Sequence, residues 1–259
     1  TMRKIICVIL ALFLASSAAF AGYQIFREYT ERQESAESYA DLEELISFPE
    51  VPPSEETDET FSSESGETEK VPVGPAVDFD ALLEINEDCV AWIYIEDTAI
   101  NYPVVQGADN SYYLKHLFDR KWNSAGCIFL DSRVASDMSN RHSIIYGHHM
   151  KNGTMFSGLT QYKKQQYYDE HPEALLITPN ATYRIEFFAG YVASVEDSAW
   201  KIGFESDEEF ETWIKEAKQR SWFESPLSPA VTDRILTLST CSYEFDNARF
   251  VLHAIIIEA

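Results

Sequence analysis

The chain has 259 residues, with 43 Asp and Glu against 20 Lys and Arg and a formal net charge of −23. That balance excludes nucleic acid as a partner, while 45% hydrophobic and 14% aromatic residues are enough for a folded core. At the N-terminal end, residues 1–27 carry Arg3 and Lys4 ahead of an apolar run over residues 5–22, just long enough to cross a bilayer. A cleaved signal peptide is the rival reading, because Ala19-Phe20-Ala21 has the small-x-small form of a cleavage site. The positive flank is expected to stay in the cytoplasm, which gives a plasma membrane crossed once, with the rest of the chain outside.

Residues 28–75 are expected to form an acidic, disordered spacer. Between residues 28 and 70, fifteen Asp and Glu face only Arg32 and Lys70, a net of −13. Glu, Ser, Thr and Pro dominate, as in Phe48-Pro49-Glu50-Val51-Pro52-Pro53, and so little apolar surface does not offset the entropy of ordering. One helix is suggested over residues 31–48, where Leu42, Leu45 and Ile46 recur at roughly helical spacing.

Residues 76–259 are long enough for one domain with a full core. β-branched and alternating segments predict strands over residues 91–95, 102–105, 127–130, 143–146, 174–178, 182–192, 235–240 and 249–257. Eight strands suggest a mainly-β fold, a closed barrel with peripheral helices. Helical patterns fall at residues 79–85, 155–158, 163–170 and, most clearly, 207–219. There Ser206 offers an N-cap, acidic residues fill the first turn, and Phe210, Trp213, Ile214 and Ala217 share a face. This helix interrupts the connection between the sixth and seventh strands, and Trp222 and Phe223 beyond it are candidates to line a groove.

The chemistry concentrates at Thr237-Leu238-Ser239-Thr240-Cys241, with Arg249 eight residues after the cysteine. Antiparallel pairing of the last two strands brings a thiol and a guanidinium to one mouth. Alternation puts Thr237, Ser239 and Cys241 on one face, so Ser239 is expected to meet whatever Cys241 attacks. A free thiol with pKa near 8.5 is mostly protonated at neutral pH and needs a base or cation nearby. The best-placed imidazole is in Tyr146-Gly147-His148-His149-Met150, where a short apolar strand ends at a glycine; His148 is the candidate acid and base and His149 its competitor. His116, His142, His171 and His253 read as surface or packing residues. Cys89 and Cys127 read as small buried residues. No cysteine or histidine spacing suits zinc, so no metal site is expected.

TLSTC with its downstream Arg249, and YGHHM followed by Lys151-Asn152-Gly153-Thr154-Met155-Phe156, resemble the signatures of a class B sortase. Ala91-Trp92-Ile93, Asn101-Tyr102-Pro103-Val104-Val105-Gln106, Asp109-Asn110-Ser111-Tyr112-Tyr113-Leu114 and Gly126-Cys127-Ile128-Phe129-Leu130-Asp131-Ser132-Arg133 extend the likeness from about residue 78 to the C-terminus. The resemblance implies an eight-stranded sortase barrel with a helix between its sixth and seventh strands. It also implies a cysteine transpeptidase in which His148, Cys241 and Arg249 are catalytic, and Ser239, Thr240 and Trp222 are candidates for substrate binding. The implied reaction is cleavage of an NPxT-x sorting signal after Thr, through a thioester, and transfer of a surface protein to an amine of the peptidoglycan precursor, the lipid II cross-bridge. A pilin lysine as acceptor, a hydrolytic cysteine peptidase and a non-catalytic binding module are the alternatives. No cofactor is expected.

Overall fold

The computed structural model describes residues 2–48 and 74–258. Residues 49–73, most of the expected spacer, lie outside the described residues. The first element is one helix, α1 (Met2–Glu43), long and apolar enough in its first half to cross a membrane. Ile5, Leu10, Phe13 and Leu14 are exposed along it.

Here the structure departs from the expected spacer. Residues 28–43 are helical, and β1 (Ile46–Ser47) pairs antiparallel with β2 (Ala76–Val77), Ile46 facing Val77. Composition hid a stripe: Glu31, Ser35, Tyr39 and Leu42 recur at helical spacing and are the buried positions of an otherwise acidic, solvated surface. Tyr39 and Leu42 join the main core, and Tyr39 donates to the Gly126 carbonyl at 2.7 Å and meets Tyr102 edge-on at 5.3 Å. The Glu31 carbonyl accepts from Asn123 Nδ2 at 2.8 Å, and its carboxylate from Ser124 Oγ at 2.7 Å.

The barrel comprises β3 (Cys89–Tyr94), β4 (Asn101–Val105), β5 (Ile128–Leu130), β6 (His142–Tyr146), β7 (Glu173–Ile177), β8 (Thr182–Ser194), β9 (Arg234–Cys241) and β10 (Ala248–Glu258). It closes in the order β10-β8-β7-β3-β4-β5-β6-β9. Only β4 with β5 and β6 with β9 run parallel among these neighbours, so both contacts need long crossovers, and those crossovers carry the cleft walls described below. Trp92, Ile93, Val104, Ile128, Phe187, Leu238 and Phe250 are among the side chains of the main hydrophobic core. The eight-stranded barrel expected from the sequence is present.

The expected helices are also found, as α2 (Phe79–Ile85), a 3-10 segment Phe156–Lys163, α3 (Gln165–Glu170) and α4 (Asp207–Arg220). Ser206 caps α4 by accepting from Glu209 N, and Phe210, Trp213, Ile214 and Ala217 bury against Phe188, Tyr191, Ile235 and Val251 on the outside of the barrel. Under this second cluster His142 and His253 are fully buried, both hydrogen-bonded to Thr237.

Burial pushes the His142 imidazole down to about 4, against the opposing pull of the Lys201 carbonyl and Asp131, and burial holds His253 well below its ordinary value. Both are therefore neutral when folded, while the unfolded chain takes up protons near pH 6.5. Stability is complete above about pH 6.5 and falls as pH drops toward 4, with His142 contributing about 3 kcal/mol of the loss. Urea midpoints measured between pH 7 and pH 4.5 should fall steadily; a flat profile would contradict the burial of these rings.

Candidate active site

The β9–β10 hairpin sets the geometry. Cys241 and Arg249 are direct antiparallel partners, which places their Cβ atoms about 5 Å apart. The turn between them closes because Ser242 N donates to the Ala248 carbonyl at 2.9 Å and Asn247 takes a left-handed φ of 61°, a conformation asparagine tolerates. Lys163 pins the turn from outside: its ammonium binds Ser242 Oγ and pairs with Glu244. Burial works against the Glu244 carboxylate, but Lys163 and Ser242 outweigh it and hold the group at about 2. Glu244 is thus paired with Lys163, while Arg249 Nη1 donates to the Ala248 carbonyl at 3.0 Å.

Strand β6 delivers the histidine. Its parallel register sets Tyr146 beside Ser239, and Gly147 N donates to the Ser239 carbonyl at 3.1 Å, so the next residue, His148, emerges beside the end of β9. Glycine is required at 147, where a Cβ would stand 2.5 Å from Ile128 and 2.6 Å from Phe156. His148 Nε2 lies 2.8 Å from the Leu114 carbonyl. A carbonyl only accepts, so Nε2 carries the proton and Nδ1 is the nitrogen left to exchange one. His149 turns the other way, with Nδ1 3.1 Å from the Cys241 carbonyl and its ring edge-on to Tyr243.

His148, Cys241 and Arg249 thus line one cleft of about 410 Å³, together with Ser239 and Thr240. Thr240 Oγ1 is buried there and, among the described residues, has no hydrogen-bond partner. Beneath them, burial opposes ionisation of Asp131, but hydrogen bonds from Arg133 and Tyr146 prevail and hold its carboxyl at about 2. Its Oδ2 accepts from Tyr146 OH at 2.9 Å, which fixes a residue of the cleft floor.

A model of the sortase domain matches residues 93–257, spanning the barrel and all three of these side chains. Sortase B of Staphylococcus aureus is 31% identical over 259 residues, 99% of this chain and 98% of that one. The chain belongs to the sortase B family. Among solved structures it resembles the Staphylococcus aureus sortase B–substrate complex, with a TM-score of 0.67 and 36% identity over 70% of this chain and 85% of that one. It also resembles sortase B from Bacillus anthracis, with a TM-score of 0.70 and 29% identity over 91% and 100%. This sortase is accordingly a cysteine transpeptidase.

Of the residues expected to meet substrate, Ser239 and Thr240 line the sortase cleft, whereas Trp222 lies away from it. After α4 the chain returns to β8, where Trp222 N donates to the Gly190 carbonyl and Phe223 turns into the core, stacking on Tyr168 at 4.2 Å. Its neighbour Trp222 therefore points outward, 48% exposed, over the Lys163 ammonium. The tryptophan of the cleft is Trp200, whose Nε1 donates to Ser239 Oγ at 3.2 Å. Position relative to the helix favoured Trp222; only the return path of the chain discriminates. The Leu114 carbonyl was missed for a simpler reason, since a backbone acceptor leaves no residue signature.

All four cysteines of the sortase are free. Burial raises the Cys89 and Cys127 thiols to about 12, which leaves them unreactive at neutral pH, while Cys241 is part-exposed in the cleft.

Proposed function

We propose that this sortase cleaves an NPxT-x sorting signal after Thr and transfers the resulting acyl group to an amine of the peptidoglycan precursor, anchoring a surface protein. The observation that carries the reading is the convergence of Cys241, His148 and Arg249 on one cleft. The Cys241 thiol gives its proton to His148 Nδ1, the thiolate attacks the Thr carbonyl, and the tetrahedral oxyanion is held by the Arg249 guanidinium and by backbone N–H groups. Collapse breaks the C–N bond as His148 Nδ1 gives its proton to the departing amine, leaving a thioester on Cys241. An incoming primary amine loses a proton to the same nitrogen and displaces the thiolate, forming the new amide. Ser239 and Thr240 contact the signal peptide. That the Staphylococcus aureus relative is known as a substrate complex supports reading this cleft as the peptide site.

The apolar half of α1 anchors the enzyme in the plasma membrane, with Arg3 and Lys4 on the cytoplasmic side and the barrel outside. The test uses the whole protein in detergent micelles with a fluorescent NPQTN-type peptide, with and without a primary amine, read by mass spectrometry. Cleavage after Thr and an amide product are expected. Cleavage without amide formation would replace transpeptidation by hydrolysis, and intact peptide in both arms would overturn the reading. Arg249→Ala should lower kcat by about 10²- to 10³-fold, the size expected for an oxyanion-binding donor; a wild-type kcat would remove Arg249 from that role.

A further inference from the structure

The outward face of β9 presents Ile235, Thr237, Ser239 and Cys241 in alternation. Ile235 packs in the cluster beneath α4. Ser239 receives the Trp200 indole. Between them Thr237, His142 and His253, all fully buried, form a chain of hydrogen bonds that the chemistry of the cleft does not use. His142 Nδ1 is 2.6 Å from the Lys201 carbonyl, His142 Nε2 is 2.6 Å from Thr237 Oγ1, and Thr237 Oγ1 is 2.7 Å from His253 Nδ1.

The direction of this chain is fixed by its first member. A carbonyl accepts, so His142 Nδ1 donates; the neutral ring then accepts at Nε2 from the Thr237 hydroxyl, which in turn accepts from His253 Nδ1–H. The last atom, His253 Nε2, has no partner among the described residues. A buried polar chain of this kind is costly unless satisfied, and it specifies a single arrangement of the segments it joins. The segments joined are β6, β9 and β10 on one side and the β8–β9 connection on the other. Lys201 directly follows Trp200, and on the other side of Trp200 the Ser198 carbonyl accepts from the Trp213 indole at 2.9 Å. Two buried donors on the barrel side and on α4 thus hold the carbonyls that flank Trp200.

We propose that His142, Thr237 and His253 act as a buried latch whose grip on the Lys201 carbonyl sets the Trp200 indole against Ser239, making His142 a positioning residue for the wall of the peptide cleft. The inference rests on reading that cleft as the sorting-signal site. His142 touches neither substrate nor Cys241; it acts through the connection, so it governs peptide binding and leaves the chemical step alone.

The test uses full-length protein in micelles and three variants. His142→Phe keeps a ring and removes both hydrogen bonds, His142→Asn restores a donor toward Lys201, and Trp200→Phe removes the indole N–H. The Trp200 indole N–H resonance is identified by its disappearance in Trp200→Phe. It should shift in His142→Phe and return in His142→Asn. KM for the sorting-signal peptide should rise about tenfold in His142→Phe, the effect of roughly one lost hydrogen bond, with kcat within about twofold and the alkylation rate of Cys241 unchanged. His142→Phe combined with Trp200→Phe should raise KM no further than either alone. A lowered unfolding midpoint with unchanged KM and an unmoved indole resonance would overturn the latch, as would additive effects in the double variant. Should His142→Phe fail to fold, Thr237→Val, of nearly the same shape, breaks the same chain and is read in the same way. A wild-type enzyme that leaves the peptide intact sinks the functional reading, while the indole resonance still decides the latch.

Discussion

Replacing Cys241 by alanine should abolish turnover, by on the order of a millionfold, the scale seen when a covalent nucleophile is removed. The substitution deletes one sulfur at a part-exposed strand end and leaves the pairing of β9 with β10 in place, so the fold should survive. No other thiol near the barrel replaces it, because Cys89 and Cys127 are buried in the core with their thiols raised to about 12. Two measurements check this. The peptide assay should give no product, and mass spectrometry of enzyme quenched during turnover should show an acyl adduct on wild-type protein and none on the variant. An adduct that persists in Cys241→Ala, or product at even a hundredth of the wild-type rate, would place the nucleophile elsewhere.

The largest effect on stability should come from the second half of α1. Leu42→Ala empties a buried site and should cost about 2–5 kcal/mol, lowering the thermal midpoint by several degrees or more. Tyr39→Phe removes only the hydroxyl that reaches the Gly126 carbonyl and should cost about 1 kcal/mol. Removing residues 1–43 entirely should do more than destabilise. Gly126 takes a φ of +60° and packs so closely on the neighbouring strand of chain that a Cβ there would stand 2.5 Å from the Tyr113 carbonyl and 2.8 Å from that of Leu114. The Leu114 carbonyl is the one that holds His148. Loosening the 112–127 segment should therefore lower kcat along with stability. A chain starting at residue 44 with the full-length melting temperature and turnover rate would show that the docked helix is dispensable.

The barrel was legible because strands 235–240 and 249–257 are dense in β-branched residues, and because Cys241 and Arg249 sit at the two ends of one short polar turn, where local pairing does the rest. The glycine that ends the strand before His148 marked where an imidazole would emerge, and the resemblance favoured His148 over His149. For the segment 28–43 a helix was expected from residue 31 and is found, but its docking on the barrel was not legible, since an average over its acidic residues conceals four positions on a single helical face; only the period separates Glu31, Ser35, Tyr39 and Leu42 from their solvated neighbours. His142, Thr237 and His253 belong to three strands, and the parallel contact of β6 with β9 that unites them spans almost a hundred residues of sequence. No local pattern announces such a meeting. Trp200 and Trp222 show the same limit: each flanks the α4 connection, and the choice between them depends on which way the chain turns next.

Because α1 is unbroken from Met2 to Glu43, the first clamp on the barrel, at Glu31, comes nine residues after the apolar run ends at Gly22, about 14 Å farther along the helix axis. On the proposed anchoring, a mast of that height bolted to the barrel would fix the altitude and bearing of the cleft instead of letting it roam on a slack tether. Under the proposed function, cargo and acceptor would then have to be presented within a thin layer just above the headgroups, which suits a lipid-linked amine better than one carried deep in the mature wall.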